Sequence, residues 1–125
     1  MILDTNAISA LQAEDDHLIT LVSGEPVLFL NIISLAEYRY GIDGSKHRDE
    51  LQKWLAALIE RSEVLCPGLN TMESYSQLRH ALRRAGTPIP ANDLWIAALA
   101  REHNLPVLSR DAHFDLVPGI ERTTW

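Results

Sequence analysis

The chain has 125 residues, 46% of them hydrophobic, with one cysteine and a formal net charge of −6 at pH 7. That suits one folded domain, residues 1–125, and excludes an internal disulfide or a Cys-based zinc site. The longest wholly apolar run, Leu94 to Ala100, falls far short of the roughly 20 residues of a membrane span. At face value the acidic excess also argues against a partner as anionic as nucleic acid.

Short apolar runs alternate with longer amphipathic ones along the chain, and nothing resembles a linker or an internal repeat. Met1-Ile2-Leu3, Val27 to Leu30, Val64-Leu65-Cys66 and Val107-Leu108 lack polar alternation, as expected for central or near-central parallel strands covered on both faces. Leu18, Ile19, Leu21 and Val22 form a short apolar face that suits a core, a homodimer contact or a groove for a partner helix. Leu51, Trp54, Leu55, Leu58 and Ile59 make one helical stripe, and Met72, Tyr75, Leu78, Leu82 and Ala85 make another that ends at Gly86. The segment Asp93 to His103 is apolar almost all round and is expected to be the most buried helix. Strands alternating with helices imply a three-layer α/β/α domain around a mainly parallel sheet of about five strands. The N-terminus shows no basic-then-apolar leader, so a cytoplasmic protein with no membrane partner is expected.

In such a sheet, sites form beyond the carboxyl ends of the strands. Asp4 follows the first apolar run directly, and Ser109-Arg110-Asp111 follows the last. Glu37 lies shortly after the second, and Asn92-Asp93 opens the buried helix. Each acid also has an ordinary role: Asp4 as a helix cap, Ser34-x-x-Glu37 as a capping box, Asp93 in a first helical turn, and Asp111 in an Asx turn. Four caps need not share one end of a sheet, whereas a site for a hard cation needs several carboxylates from different strands. Clustered carboxylates repel until a cation neutralises them, so the conjunction points to a metal site. With no H-E-x-x-H spacing and no cysteine pair, oxygen ligands are expected. Thr5, Asn6, Ser34, Asn92 and Ser109 are short polar side chains placed to orient those carboxylates.

Ile2-Leu3-Asp4-Thr5-Asn6, Ser34 to Gly41, Ala91 to Ala98 and Leu108 to Phe114 resemble, in order, the four acidic motifs of PIN-domain ribonucleases, specifically the VapC-type toxins of bacterial toxin–antitoxin pairs. The resemblance runs through Val117-Pro118-Gly119-Ile120 to a final strand. It implies an acidic quartet of Asp4, Glu37, Asp93 and Asp111, with Asp115 as an additional candidate for the fourth motif. It further implies Mg2+ or Mn2+, one or two ions per site, an RNA substrate, a small cognate antitoxin and a homodimer. Asp4 and Asp93 would anchor the principal ion. Glu37 and Asp111 would hold a second ion or position the attacking water, giving 3′-hydroxyl and 5′-phosphate ends. Ser109 stands where Thr is common and keeps the hydroxyl.

Ser74 to Asn92 contains no acid but carries Arg79, Arg83 and Arg84, with His80, on a helical pattern; it reads as a solvated face or as an RNA-steering patch. Lys46, His47, Arg48 and Arg39 are a less coherent basic group. Trp54 and Trp95 fall on apolar stripes and are expected in the core, and Trp125 against the last strand. Two other acidic α/β classes fit poorly. A phospho-accepting receiver needs a late lysine, whereas the last here is Lys53; a haloacid-type phosphatase needs D-x-D where Asp4-Thr5-Asn6 stands. The alternative function is a catalytically idle PIN-like domain serving as a protein- or RNA-binding module, which would usually have lost one of the four acids.

Overall fold

The computed structural model describes residues 1–125. Five strands, β1 (Ile2–Leu3), β2 (Phe29–Asn31), β3 (Glu63–Leu65), β4 (Val107–Leu108) and β5 (Arg122–Thr123), form one wholly parallel sheet in the order β3-β2-β1-β4-β5. Six helices complete the layers: α1 (Thr5–Gln12), α2 (Asp16–Ser23), α3 (Ile32–Asp43), α4 (Arg48–Glu60), α5 (Leu69–Arg84) and α6 (Ala91–His103). A 3-10 turn spans Ala112–Leu116. None of the helices is long and apolar enough to cross a membrane.

The strand pleat explains the unbroken apolar runs. Ile2 and Val107 point into a core shared with Leu78, Leu82, the inner face of α6 and Phe114. Their neighbours Leu3 and Leu108 point to the opposite side, into a core of residues such as Ile8, Leu18, Leu30, Leu55 and Leu58. Side chains alternate faces, and both faces are covered.

One sequence expectation is corrected by strand order: Val64-Leu65 belongs to β3, an edge strand, not a central one. It reads as central because Val64 packs on one core and Leu65 on the other, while β3 is only three residues long and opens with exposed Glu63. The α5 stripe is also rotated. Thr71, Leu78 and Leu82 are buried, whereas Met72 is 56% exposed. The helix closes at Ala85, and Gly86 takes φ +72° as expected after a helix end.

Helix α6 is the most buried, with Leu94, Ile96, Ala97, Ala98, Leu99 and Ala100 all inside. Leu99→Ala should therefore cost about 2–5 kcal/mol, because the transfer loss and the residual cavity add; chemical denaturation with an unchanged m-value checks it. Leu18 and Val22 of α2 are likewise core, while Ile19 is 38% exposed. Trp54 is half-buried against Tyr38, and Trp95 stacks on Tyr75 at 4.1 Å between ring centroids. Trp125 packs at the C-terminus beneath the Arg110 guanidinium, 4.4 Å from its ring.

Candidate active site

The site lies beyond the carboxyl ends of the three inner strands. Backbone pairing carries each acid-bearing segment up to the point where it turns in. The Asp4 N–H donates to the Leu108 carbonyl at 3.1 Å and the Ser109 N–H to the Thr123 carbonyl at 3.0 Å, so both sit on the last rungs of the ladder. Beyond β2, Asn31 caps α3, accepting from the Ser34 N–H and donating from Nδ2 to the Leu3 carbonyl and to Ser34 Oγ. Helix α3 therefore begins at Ile32, not with a Ser34 capping box, and Glu37 lies in its second turn, free of capping duty. Ser34, wholly buried, braces the end of β1 through Asn31 and makes no hydrogen bond to an acid of the quartet.

Asp4 is 5% exposed. Its Oδ1 caps α1 by accepting from the Thr5 N–H at 2.7 Å, and its Oδ2 accepts from Ser109 Oγ at 2.7 Å and Asn6 Nδ2 at 3.0 Å. Capping and site-building coincide in one carboxylate. Glu37 accepts from Thr5 Oγ1 at 2.5 Å and from Asn92 Nδ2 at 2.7 Å, so α1 and α6 hold it from two sides. Asp111 is the cap of the 3-10 turn, its Oδ1 accepting from the His113 N–H at 2.9 Å while its own N–H donates to Ser109 Oγ. Four of the five short polar residues singled out in the sequence, Thr5, Asn6, Asn92 and Ser109, thus contact an acid of the quartet directly.

Asp93 and Asp111 converge on a residue the sequence reading passed over. His113 Nδ1 lies 3.0 Å from Asp93 Oδ2 and 3.1 Å from Asp111 Oδ1. One donor atom from each of Asp93, Asp111 and His113 falls within 4.8 Å of the others, the spacing of ligands around one cation. The expectation of oxygen alone is thereby modified, because an imidazole nitrogen stands in the cluster. Its signal in the sequence was the Asp111-Ala112-His113 spacing, which a search for H-E-x-x-H does not detect.

The electrostatics carry the mark of a cation site. Burial, followed by the charges of Glu37 and Asp111, pushes the Asp4 carboxyl above its ordinary range against the pull of its hydrogen bonds. Burial likewise raises Asp93, with Asp111 and Asp4 adding to the rise and the His113 hydrogen bond opposing it. The imidazole itself is raised, first by that hydrogen bond to Asp93. It offers positive charge to Asp93 and Asp111, the role a divalent ion would fill with more charge and more ligand positions. The donor set fits Mg2+ or Mn2+, with the nitrogen suiting Mn2+ better.

Asp115 is placed differently. It is exposed and forms a bidentate pair with Arg122, both contacts 2.7 Å, which holds its carboxyl below the usual range. Of the basic candidates, Arg79 and Arg83 border a cavity beside the start of α6, whereas Arg84 is exposed on the last turn of α5 and does not line it. Arg39 pairs with Asp43, Lys46 and His47 lie in the exposed turn before α4, and exposed Arg48 opens that helix.

A parallel α/β/α domain with carboxylates gathered beyond its inner strands defines a class of acidic, cation-ready folds. Residues 1–120 match the PIN domain model, and the chain belongs to that family. Ribonuclease VapC1 of Haemophilus influenzae is 27% identical over 98% of this chain and 96% of its own length. Ribonuclease VapC5 of Mycobacterium tuberculosis is 32% identical over 70% of this chain and 67% of its own. Among solved structures, VapBC2 from Rickettsia felis bound to a DNA fragment from its promoter superposes with a TM-score of 0.87, at 26% identity, covering 99% of this chain and 97% of that one.

Proposed function

We propose that this chain is a divalent-metal-dependent endoribonuclease, folded as one domain over residues 1–125 and acting as the toxin of a toxin–antitoxin pair. The observation that carries the reading is the convergence of Asp93, Asp111 and His113 within 4.8 Å, beside a buried Asp4 and a doubly held Glu37. An acidic pocket of this kind suits a phosphodiester only when a cation is present, because carboxylates alone repel the phosphate. Bound Mg2+ or Mn2+, one or two ions, supplies Lewis acidity and lowers the pKa of a water.

This chain's residues supply the rest. Asp4 and Asp93 form the anchor, fixed by the end of β1 and the first turn of α6. Glu37 and Asp111 flank it, positioned to hold a second ion or to orient water. In the hydrolysis, a water oxygen bonds to phosphorus and the bond from phosphorus to the 3′-oxygen breaks. The leaving oxygen takes up a proton, leaving 3′-hydroxyl and 5′-phosphate ends. Names of relatives and of VapBC complexes among its structural neighbours support a cognate antitoxin as partner, and a homodimer is part of the same reading. No membrane partner is included, and a cytoplasmic location goes with an RNA substrate.

The test is mapping of new 5′-phosphate ends in cellular RNA after brief expression, beside in-vitro cleavage with Mg2+ or Mn2+ and with chelator. New ends that require the cation support the reading; none with either metal overturns it. The same assay separates Asp111 from Asp115. Asp111→Asn should lower cleavage by at least roughly tenfold to a hundredfold, the loss that follows removal of a group that only orients metal ligands. Asp115→Asn should stay within about twofold, since its loss breaks only an exposed pair with Arg122. Equal losses in the two variants would reverse that assignment.

A further inference from the structure

A cavity of about 400 Å³ opens between α5 and the start of α6. Leu94 and Ile89 give it apolar lining and Tyr75 an aromatic wall, while Arg79 and Arg83 border it. Tyr75 is fixed on both sides. Trp95 stacks on it at 4.1 Å, and Arg79 donates to its hydroxyl at 3.0 Å with the guanidinium 5.9 Å from the ring centroid.

Ala91 and Leu94 line the cavity, while Asn92 and Asp93, between them in the same helical turn, face Glu37 and His113. The cavity and the cluster lie at the same level of α6, on different sides of its first turn, so a strand that crosses the start of the helix meets both. Successive nucleotides of an extended strand can therefore occupy both. The surroundings have the matching sign, because no acid occurs from Ser74 to Asn92.

Resting on the ribonuclease reading, we infer that this cavity is a nucleobase subsite. An unpaired base next to the scissile phosphate enters it, with Arg79 and Arg83 holding the adjoining phosphate. With the Tyr75 ring already covered by Trp95 and Arg79, a base packs on the apolar lining and against the guanidinium planes, contacts that do not depend on which base it is. The subsite selects unpaired RNA and places the backbone at the acids; it does not read a sequence.

The test uses a fluorescein-labelled twelve-nucleotide single-stranded RNA of mixed sequence and the same backbone built from abasic ribose. Binding is read by anisotropy in an Asp93→Asn background at saturating Mn2+, offered to the remaining acids, with strand integrity checked on gels. The parent should prefer the base-bearing strand by about tenfold. Ala91→Leu, at an exposed helical position where Leu is well tolerated, should fill the cavity and abolish that preference. Arg83→Ala should weaken both strands alike and flatten the salt dependence by about 0.7 in log–log slope.

No preference in the parent, or a preference that survives Ala91→Leu, overturns the proposal. So does a switch from dimer to monomer on Ala91→Leu in sedimentation, which would assign the cavity to a second copy. Cleavage of cellular RNA by the unmodified protein is scored separately. Cleavage without base preference defeats the subsite alone, and base preference without cleavage defeats the catalytic reading alone.

Discussion

Asp93→Asn should lower metal-dependent RNA cleavage by roughly a hundredfold or more while leaving the fold intact. The magnitude follows from the proposed role: groups that merely orient metal ligands are worth about tenfold to a hundredfold, and Asp93 is proposed as a ligand itself. It is also the acid that His113 approaches most closely, so its loss removes one side of the three-residue cluster. Folding should survive because Asp93 accepts no backbone hydrogen bond here, and α6 is held by the six buried residues that follow it. The measurement is initial cleavage rate at saturating Mn2+ and Mg2+, with unchanged far-UV dichroism as the control. Wild-type rate in the variant would exclude Asp93 from the chemistry.

Much of this site was legible in the sequence because its acids occupy the few places where a parallel sheet exposes side chains to a shared crevice. Asp4 and Asp111 directly follow or nearly follow the central strands, and no packing rearrangement can separate them. Capping does not exclude Asp4 from the proposed site, because its two oxygens make different contacts: Oδ1 caps α1 and Oδ2 meets Ser109 and Asn6. In Asp111 one oxygen, Oδ1, both accepts the His113 N–H that caps the 3-10 turn and faces the His113 imidazole.

The parts that escaped sequence reading depend on contacts between segments far apart in the chain. His113 enters the cluster because a tight turn brings it back beside Asp111 and against Asp93, 20 residues earlier. Asn31, a polar residue ending a strand, proves to be the cap that sets the start of α3 and so the rotation that delivers Glu37. The pairing of Asp115 with Arg122 likewise depends on where β5 returns. Edge position for β3 was hidden for a different reason: helices cover both its faces, so its composition is that of an inner strand.

The net charge of −6 changes meaning once located. Setting aside the four clustered acids leaves −2, and two divalent ions would neutralise those four in place. Acidity then marks the cation site and does not argue against RNA. Metal-free protein should bind RNA poorly.

That same repulsion predicts a large effect of the ion on stability. At a free Mn2+ or Mg2+ concentration 100 times Kd, linkage adds about 2.7 kcal/mol, which for a domain of this size raises Tm by about 10 °C. Asp4→Asn should lose most of that rise. Its metal-free form should melt close to metal-free wild type, because removal of a buried charge that Glu37 and Asp111 repel offsets the loss of hydrogen bonds that the second carboxylate oxygen accepts. The pH dependence of the metal-free protein should have a definite sign. Asp4 and Asp93 have carboxyls raised by the fold, so their contribution favours folding while they are protonated and declines as pH rises through the raised values. His113 is raised too, and its contribution, present below the ordinary value of 6.5, is lost as pH climbs through its folded value. Metal-free wild type should therefore lose more Tm between about pH 6 and pH 8 than His113→Gln does, and saturating metal should remove the difference, because the ion takes over the charge that the imidazolium supplies. Calorimetry of the two proteins with chelator and with Mn2+ reads both effects, and a wild-type Tm indifferent to the ion would remove the physical basis for a metal site in this pocket.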